Sequence, residues 1–178
     1  NGVITGGSML YFEEESSISL LDDFQTDRQF EQQAGTWNTN NHKVTIGGFF
    51  YALTGSKPRT INLGGSDVIL SNPSALFRIN NLQTTLNAGT SHIQFLNGSS
   101  NNGIYSLSTQ TFYNVTFDNA DGIIRGGSKY NKVEFKYGGV INGENTFKDL
   151  VLTAGKTYTL QNATTQTIEN WTLGGTPC

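Results

Sequence analysis

Charged residues are scarce in this chain of 178 residues: they make up 14% of it, and the formal net charge is only −3. Nucleic acids and anionic membranes are bound by clustered lysine and arginine, so neither is an expected partner. No apolar run approaches the ~18 residues that would span a bilayer, so we expect no direct membrane insertion. The polar surface must come mainly from Asn, Thr, Ser and Gln.

Metal-binding side chains are equally sparse. One cysteine, Cys178, and two histidines, His42 and His92, cannot form a zinc set, and the glycine-aspartate nonapeptide that binds calcium in β-rolls does not occur. We interpret the run Glu13–Glu15 as a solvated edge, and we expect no metal site and no cofactor. Cys178 could pair with a thiol outside this range, stay free, or mark the boundary of a piece cut from a longer chain.

What the sequence does contain is a repeat of short triplets, apolar at the first and third positions. Their last residues are separated by 17, 16, 16, 22, 18, 17 and 21 positions. The triplets are Val44-Thr45-Ile46, Ile61-Asn62-Leu63, Phe77-Arg78-Ile79, Ile93-Gln94-Phe95, Val115-Thr116-Phe117, Val133-Glu134-Phe135, Leu150-Val151-Leu152 and Trp171-Thr172-Leu173.

Alternation of this kind is typical of strands with one buried face. The interval is too short for a βαβ unit, and it suits a chain that coils round and adds each strand parallel to the last. A second, weaker apolar pair follows after glycine-rich corners, and Phe112, Tyr130, Phe147 and Ile168 supply a third inward contact ahead of the later triplets. The sequence therefore predicts an all-β parallel β-helix.

We expect about nine to ten turns, with one triplet to each turn. Residues 1–35 are predicted to form an N-terminal edge turn or cap, with Ile18 and Leu20 inward, and residues 36–178 the repeats, as part of a longer chain. Trp171 occupies an inward position and is expected to lie in the core.

Several outward residues could belong to a polysaccharide lyase or hydrolase. Asp118 and Lys136 fall at the same place on successive turns, as do Lys132 and Asp149. We interpret both as exposed cross-strand pairs. Glu134 has Thr116 and Val151 as turn-to-turn neighbours, which weakens a paired-acid mechanism.

Other candidates have similar explanations. Asp121 and Arg125 belong to a turn corner, NADGIIRGG, where carbohydrate contact stays open. The repeat count places His42 and His92 three turns apart, too far for a shared metal. We predict no catalytic residue.

Four aromatic residues, Trp37, Tyr105, Tyr113 and Tyr137, cannot all be placed inward by the repeat. Exposed aromatic rings are typical of sugar-binding surfaces, but a half-buried corner position explains them as well.

The runs RTINLGGSDVILSN, LNAGTSHIQFLNG, TFYNVTFDNADGIIRGG and NTFKDLVLTAGKTYTLQNATTQTIENWTLGGTPC resemble repetitive β-helical segments of very large bacterial cell-surface proteins. The similarity is to adhesins exported by the type IX system and linked to gliding motility. It implies a right-handed parallel β-helix, an extracellular location and a non-enzymatic role as a stalk or display module. It also implies partners among cell-surface or secretion components, with extracellular polysaccharide as a further candidate. A polysaccharide-binding or polysaccharide-cleaving β-helix and a phage tail fibre segment stay as alternatives.

Overall fold

A computed structural model describes residues 2–4, 9–12, 16–52, 57–97, 102–107, 109–118 and 122–174. None of these residues is helical. The strands are β1 (Gly2–Ile4), β2 (Met9–Phe12), β3 (Ser17–Ser19), β4 (Phe24–Thr26), β5 (Gln29–Gln32), β6 (Gly35–Asn38), β7 (Val44–Ile46), β8 (Phe50–Ala52), β9 (Arg59–Asn62), β10 (Asp67–Leu70), β11 (Leu76–Ile79), β12 (Thr84–Asn87), β13 (His92–Phe95), β14 (Gly103–Ser106), β15 (Thr111–Phe117), β16 (Gly122–Arg125), β17 (Lys129–Phe135), β18 (Gly139–Ile141), β19 (Thr146–Thr153), β20 (Tyr158–Leu160) and β21 (Thr167–Gly174).

The strands form three parallel sheets along one coil, so the predicted parallel β-solenoid is confirmed. The first sheet has nine strands in the order β1-β4-β7-β10-β13-β15-β17-β19-β21. The second has eight, β2-β5-β8-β11-β14-β16-β18-β20, and the third has four, β12-β9-β6-β3. The eight strands of the second sheet are separated by about seven turns of the coil, fewer than the nine to ten predicted.

The predicted match of one triplet to one turn is wrong in the first half of the chain. Ile46 pairs in register with Leu70, and Leu70 pairs with Phe95, so each of these coils is longer than one triplet interval. The triplets ending at Leu63 and Ile79 lie instead on the third and second sheets. After Phe95 the coils are shorter and the assignment is right, because the triplets ending at Phe117, Phe135, Leu152 and Leu173 follow one another on the first sheet.

The inward side chains predicted from alternation form one continuous core. The first and third residues of the seven triplets from Val44 to Leu152 are all buried. Aromatic rings stack from coil to coil within it: Phe50 lies 5.4 Å from Phe30 and 4.4 Å from Phe77, and a second stack joins Phe95, Phe117 and Phe135. Phe112, Tyr130 and Phe147, predicted as a third inward contact, form another stack with 5.2 Å between centroids.

Polar side chains also form ladders along the coil. On the third sheet the Asn87 side-chain amide donates to Asn62 Oδ1 at 2.7 Å, and Asn62 donates in turn to Asn38. Arg59 is buried, and its Nη1 donates to the Gln32 carbonyl oxygen of the preceding coil at 2.9 Å. Each ladder links neighbouring coils only, as expected for a solenoid.

Inward predictions near both ends are wrong, for Trp171 and Leu173 on β21 and for Ile18 on β3. Trp171 aligns with the buried Leu150, yet 57% of its surface is exposed because β21 is the last described strand of the first sheet. Ile18 aligns with the buried Trp37 but is 43% exposed on β3, the edge strand of the third sheet. Leu20 packs partly against the core. An inward position is therefore buried only where coils lie on both sides of it.

Candidate functional site

Of the two charged pairs predicted between turns of the first sheet, one forms and the other, between Lys132 and Asp149, does not. Lys136 Nζ lies 2.9 Å from Asp118 Oδ1 on the preceding coil, which confirms that exposed pair. Lys132 aligns with Asp149, as expected, but its Nζ contacts Glu134 of its own strand at 3.1 Å. Asp149 accepts instead from the Asn170 amide at 2.9 Å. The contacts of Lys136 with Asp118 and of Lys132 with Glu134 are therefore surface ion pairs, which contribute little to stability.

A constellation that the sequence analysis missed surrounds His92 on the same face. Its Nε2 lies 2.8 Å from Thr116 Oγ1, and its Nδ1 lies 3.8 Å from Asp67 Oδ1. The order carboxylate, imidazole, hydroxyl matches a nucleophilic triad, but 3.8 Å is too long for the hydrogen bond that fixes the imidazole in such enzymes. Glu134 lies between Thr116 and Val151, as predicted, and has no carboxylate on either of these adjacent strands in its column.

The environment of His92 predicts a dependence of stability on pH. Burial lowers the pKa of its imidazole; Lys132 and Lys136 add to this effect, whereas Asp67 and Glu134 oppose it. The unfolded chain therefore takes up this proton first as the pH falls below about 6.5, and the folded state loses stability. We expect His92→Gln to lose less stability than the unmodified chain between pH 7.5 and pH 5.5, measured by urea unfolding. Parallel stability curves for the two proteins would contradict this.

A second histidine lies near two acids. The nearest ligand atoms of Asp22, Asp23 and His42 all lie within 4.8 Å of one another. Asp23 Oδ1 already accepts from the Lys43 backbone N–H at 2.9 Å, so one of the acids supports the next coil. His42 and His92 are two coils apart, because β7 and β13 flank β10, and not three as predicted.

The outward face of the second sheet carries an ordered column that we call the Tyr/Arg column: Glu31, Tyr51, Arg78, Tyr105 and Arg125. Its members align in register on β5, β8, β11, β14 and β16. Equivalent residues on neighbouring strands lie about 4.8 Å apart, so aromatic and guanidinium groups alternate along the coil axis. Arg125, considered from the sequence only as a corner residue, belongs to this column.

Both arginines of the Tyr/Arg column are held in place. The Arg125 guanidinium carbon lies 4.9 Å from the centroid of the Tyr105 ring. The Asn80 side-chain oxygen accepts from Arg78 Nε at 2.7 Å and from its Nη2 at 2.6 Å, with the amide oriented by these hydrogen bonds. Stacking and a fixed hydrogen-bond partner reduce the rotamer freedom that a long side chain would lose on binding.

The column is flanked by apolar groups. Phe49 stacks on Tyr51 with 5.2 Å between ring centroids. The Tyr105 ring packs closely over Gly103, since a Cβ added to this glycine would lie 3.1 Å from the ring. Desolvation by burial raises the pKa of the Tyr51 hydroxyl, so this group stays protonated at neutral pH. The face therefore combines fixed cations, hydroxyl groups and apolar surface.

The four aromatic residues singled out from the sequence have different environments. Tyr105 and Tyr113 are half-buried, as predicted, but they lie on strands β14 and β15 and not at corners, whereas Trp37 lies in the core. Tyr137 is 44% exposed, with Lys156 Nζ 5.4 Å from its ring centroid. The four do not form one surface.

Tyr113 lines a groove of about 630 Å³ where the third sheet ends and the long strands β15, β17, β19 and β21 begin. Lys129, Asn131 and Lys148 line the same groove. Its lysines are exposed, and the structure shows no aromatic ring stacked on either of them among the described residues.

Other residues discussed from the sequence, Glu13–Glu15, Asp121 and Cys178, lie outside the residues whose side chains the structure describes. Among the described residues, none belongs to a helix that could cross a membrane. Compared with models of known protein families, with curated proteins and with solved structures, the chain matches none.

Proposed function

We propose that this chain is a non-enzymatic structural or adhesive module of a cell-surface protein, acting as a rigid stalk or display element outside the cell. The observation that carries the proposal is the unbroken parallel register of nine strands over an interior of stacked aromatic rings. Eight steps of about 4.8 Å give a rod roughly 38 Å long. The sequence resemblance to type IX-exported adhesins supports the extracellular setting and gives partners among cell-surface or secretion components.

A rigid stalk predicts a fixed distance between its ends. Gln25 and Thr172 are exposed and occupy the same outward column of the first sheet, on β4 and β21. Seven strand steps separate them, which predicts roughly 34 Å between their backbones. We expect spin labels on Gln25→Cys and Thr172→Cys, in a Cys178→Ser background, to give one narrow distance distribution by pulsed electron spin resonance. A broad distribution would overturn the rigid-stalk role.

The second candidate function is a polysaccharide-active β-helix, which the Tyr/Arg column favours for binding but not for cleavage. We expect no new reducing ends and no unsaturated product when the protein is incubated with uronate-containing or neutral polysaccharides. A lyase and a hydrolase of known activity serve as positive controls. If the unmodified protein cleaves any of these substrates, and Thr116→Val or Glu134→Gln abolishes the cleavage, an enzymatic function replaces the structural proposal.

A further inference from the structure

We propose that the Tyr/Arg column binds an anionic polysaccharide lying along the coil axis. The inference rests on the adhesive half of the proposed function, and it names the ligand class. The column is straight and one residue wide, because its members occupy equivalent positions on successive strands. A straight row of groups parallel to the axis fits a linear polymer in an extended conformation.

The positive charge and the fixed positions of the two arginines favour an anionic ligand. Arg78 and Arg125 are the two cations of the column, and each is held in place by Asn80 or Tyr105. Arginine in such an arrangement binds carboxylate or sulfate groups through paired N–H donors. The one acid of the column, Glu31, is buried at its N-terminal end and accepts from Gln33 Nε2 at 3.1 Å. The protonated Tyr51 hydroxyl is available as a hydrogen-bond donor to a sugar.

Spacing favours a carbohydrate over other anionic polymers. The two arginines are two strand steps apart, roughly 9.6 Å. A polysaccharide with one acidic group on every second ring places its charges at about this separation. An extended peptide repeats same-side residues at roughly 6.8 Å, and the phosphates of a nucleic acid strand follow at roughly 3.4 Å along the helix axis and require clustered cations.

The test uses hyaluronate oligosaccharides, whose carboxylates alternate with neutral rings, in isothermal titration calorimetry at low salt. We expect binding to the unmodified protein and a loss of about tenfold or more in Arg78→Gln/Arg125→Gln. The double variant Lys129→Gln/Lys148→Gln removes the same charge from the groove beside Tyr113, and it should bind as the unmodified protein does. Tyr105→Leu, which keeps every charge, should weaken binding several-fold because Arg125 loses its support.

Several outcomes would overturn the proposal. They are the absence of hyaluronate binding, equal losses in the two double variants, and equal or tighter binding of a neutral dextran, single-stranded DNA or poly-glutamate. Each variant is first compared with the unmodified protein by urea unfolding, so that a folding defect is recognised. A lack of hyaluronate binding would not alter the distance between residues 25 and 172. The spin-label measurement therefore distinguishes failure of the polysaccharide proposal from failure of the stalk role.

Discussion

Replacing Phe50 by alanine is expected to lower the free energy of unfolding by about 3–5 kcal/mol, the usual range for a buried phenylalanine. Its ring is fully buried between Phe30 and Phe77 and lies 5.6 Å from Trp37. Removing it leaves a cavity between the Phe30 and Phe77 rings of the two neighbouring coils, and the fixed spacing of the strands prevents those coils from closing over it. Urea unfolding followed by circular dichroism measures the change.

The adjacent residue provides the matched control. Phe49 is half-buried on the outward face of the same segment and stacks on Tyr51. Phe49→Ala removes the same atoms but opens no internal cavity, so we expect a loss of about 1 kcal/mol. Equal losses for the two variants would mean that ring stacking in the interior contributes no more to stability than a surface contact, and would contradict a stabilising aromatic core.

Gly126→Ala is expected to destabilise the fold more than Gly155→Ala does, by about 2 kcal/mol, the cost of forcing extra atoms into a packed site. Both glycines have positive φ, +105° at Gly126 and +72° at Gly155. A Cβ at Gly126 would clash with the Ser106 carbonyl oxygen of the preceding coil, whereas a Cβ at Gly155 would meet nothing within 4 Å. Gly155→Ala therefore carries only the backbone cost of about 1–2 kcal/mol.

The difference between the two alanine variants measures the close approach of successive coils at this corner together with the less favourable φ of Gly126. Both are measured by urea unfolding under the same conditions. If Gly126→Ala costs no more than Gly155→Ala, the backbones have room to separate there and the coil is less tightly stacked than described.

The parallel β-solenoid could be predicted because alternation and corner glycines are local properties of the chain. Val44, Ile46, Phe117 and Phe135 are buried as their triplets predict. The length of each coil could not be predicted, since strands of all three sheets share the same alternation. The triplets ending at Ile46, Leu63, Ile79 and Phe95 are about two-thirds of a coil apart, so their three intervals cover two coils and look like a shorter repeat.

The Tyr/Arg column was missed for a related reason. Tyr51, Arg78 and Tyr105 become neighbours only through the register of β8, β11 and β14, which depends on the lengths of the corners between them. The intervals between these three positions are longer than any interval between successive triplets, so the repeat does not reveal them. The pair Asp118 and Lys136 was found because it lies beside triplets whose register was assigned correctly.

The unequal length of the coils restricts how such a chain can grow or shrink by insertion and deletion. A change in length within a strand turns inward side chains outward, since a shift by one residue inverts the strand. The circuit from Ile46 to Leu70 is longer than the one from Phe117 to Phe135, yet both keep their residues in register on the first sheet. Insertions are therefore tolerated at the corners and in the third-sheet segment, which the described part of the later coils lacks, and not within strands of the first two sheets.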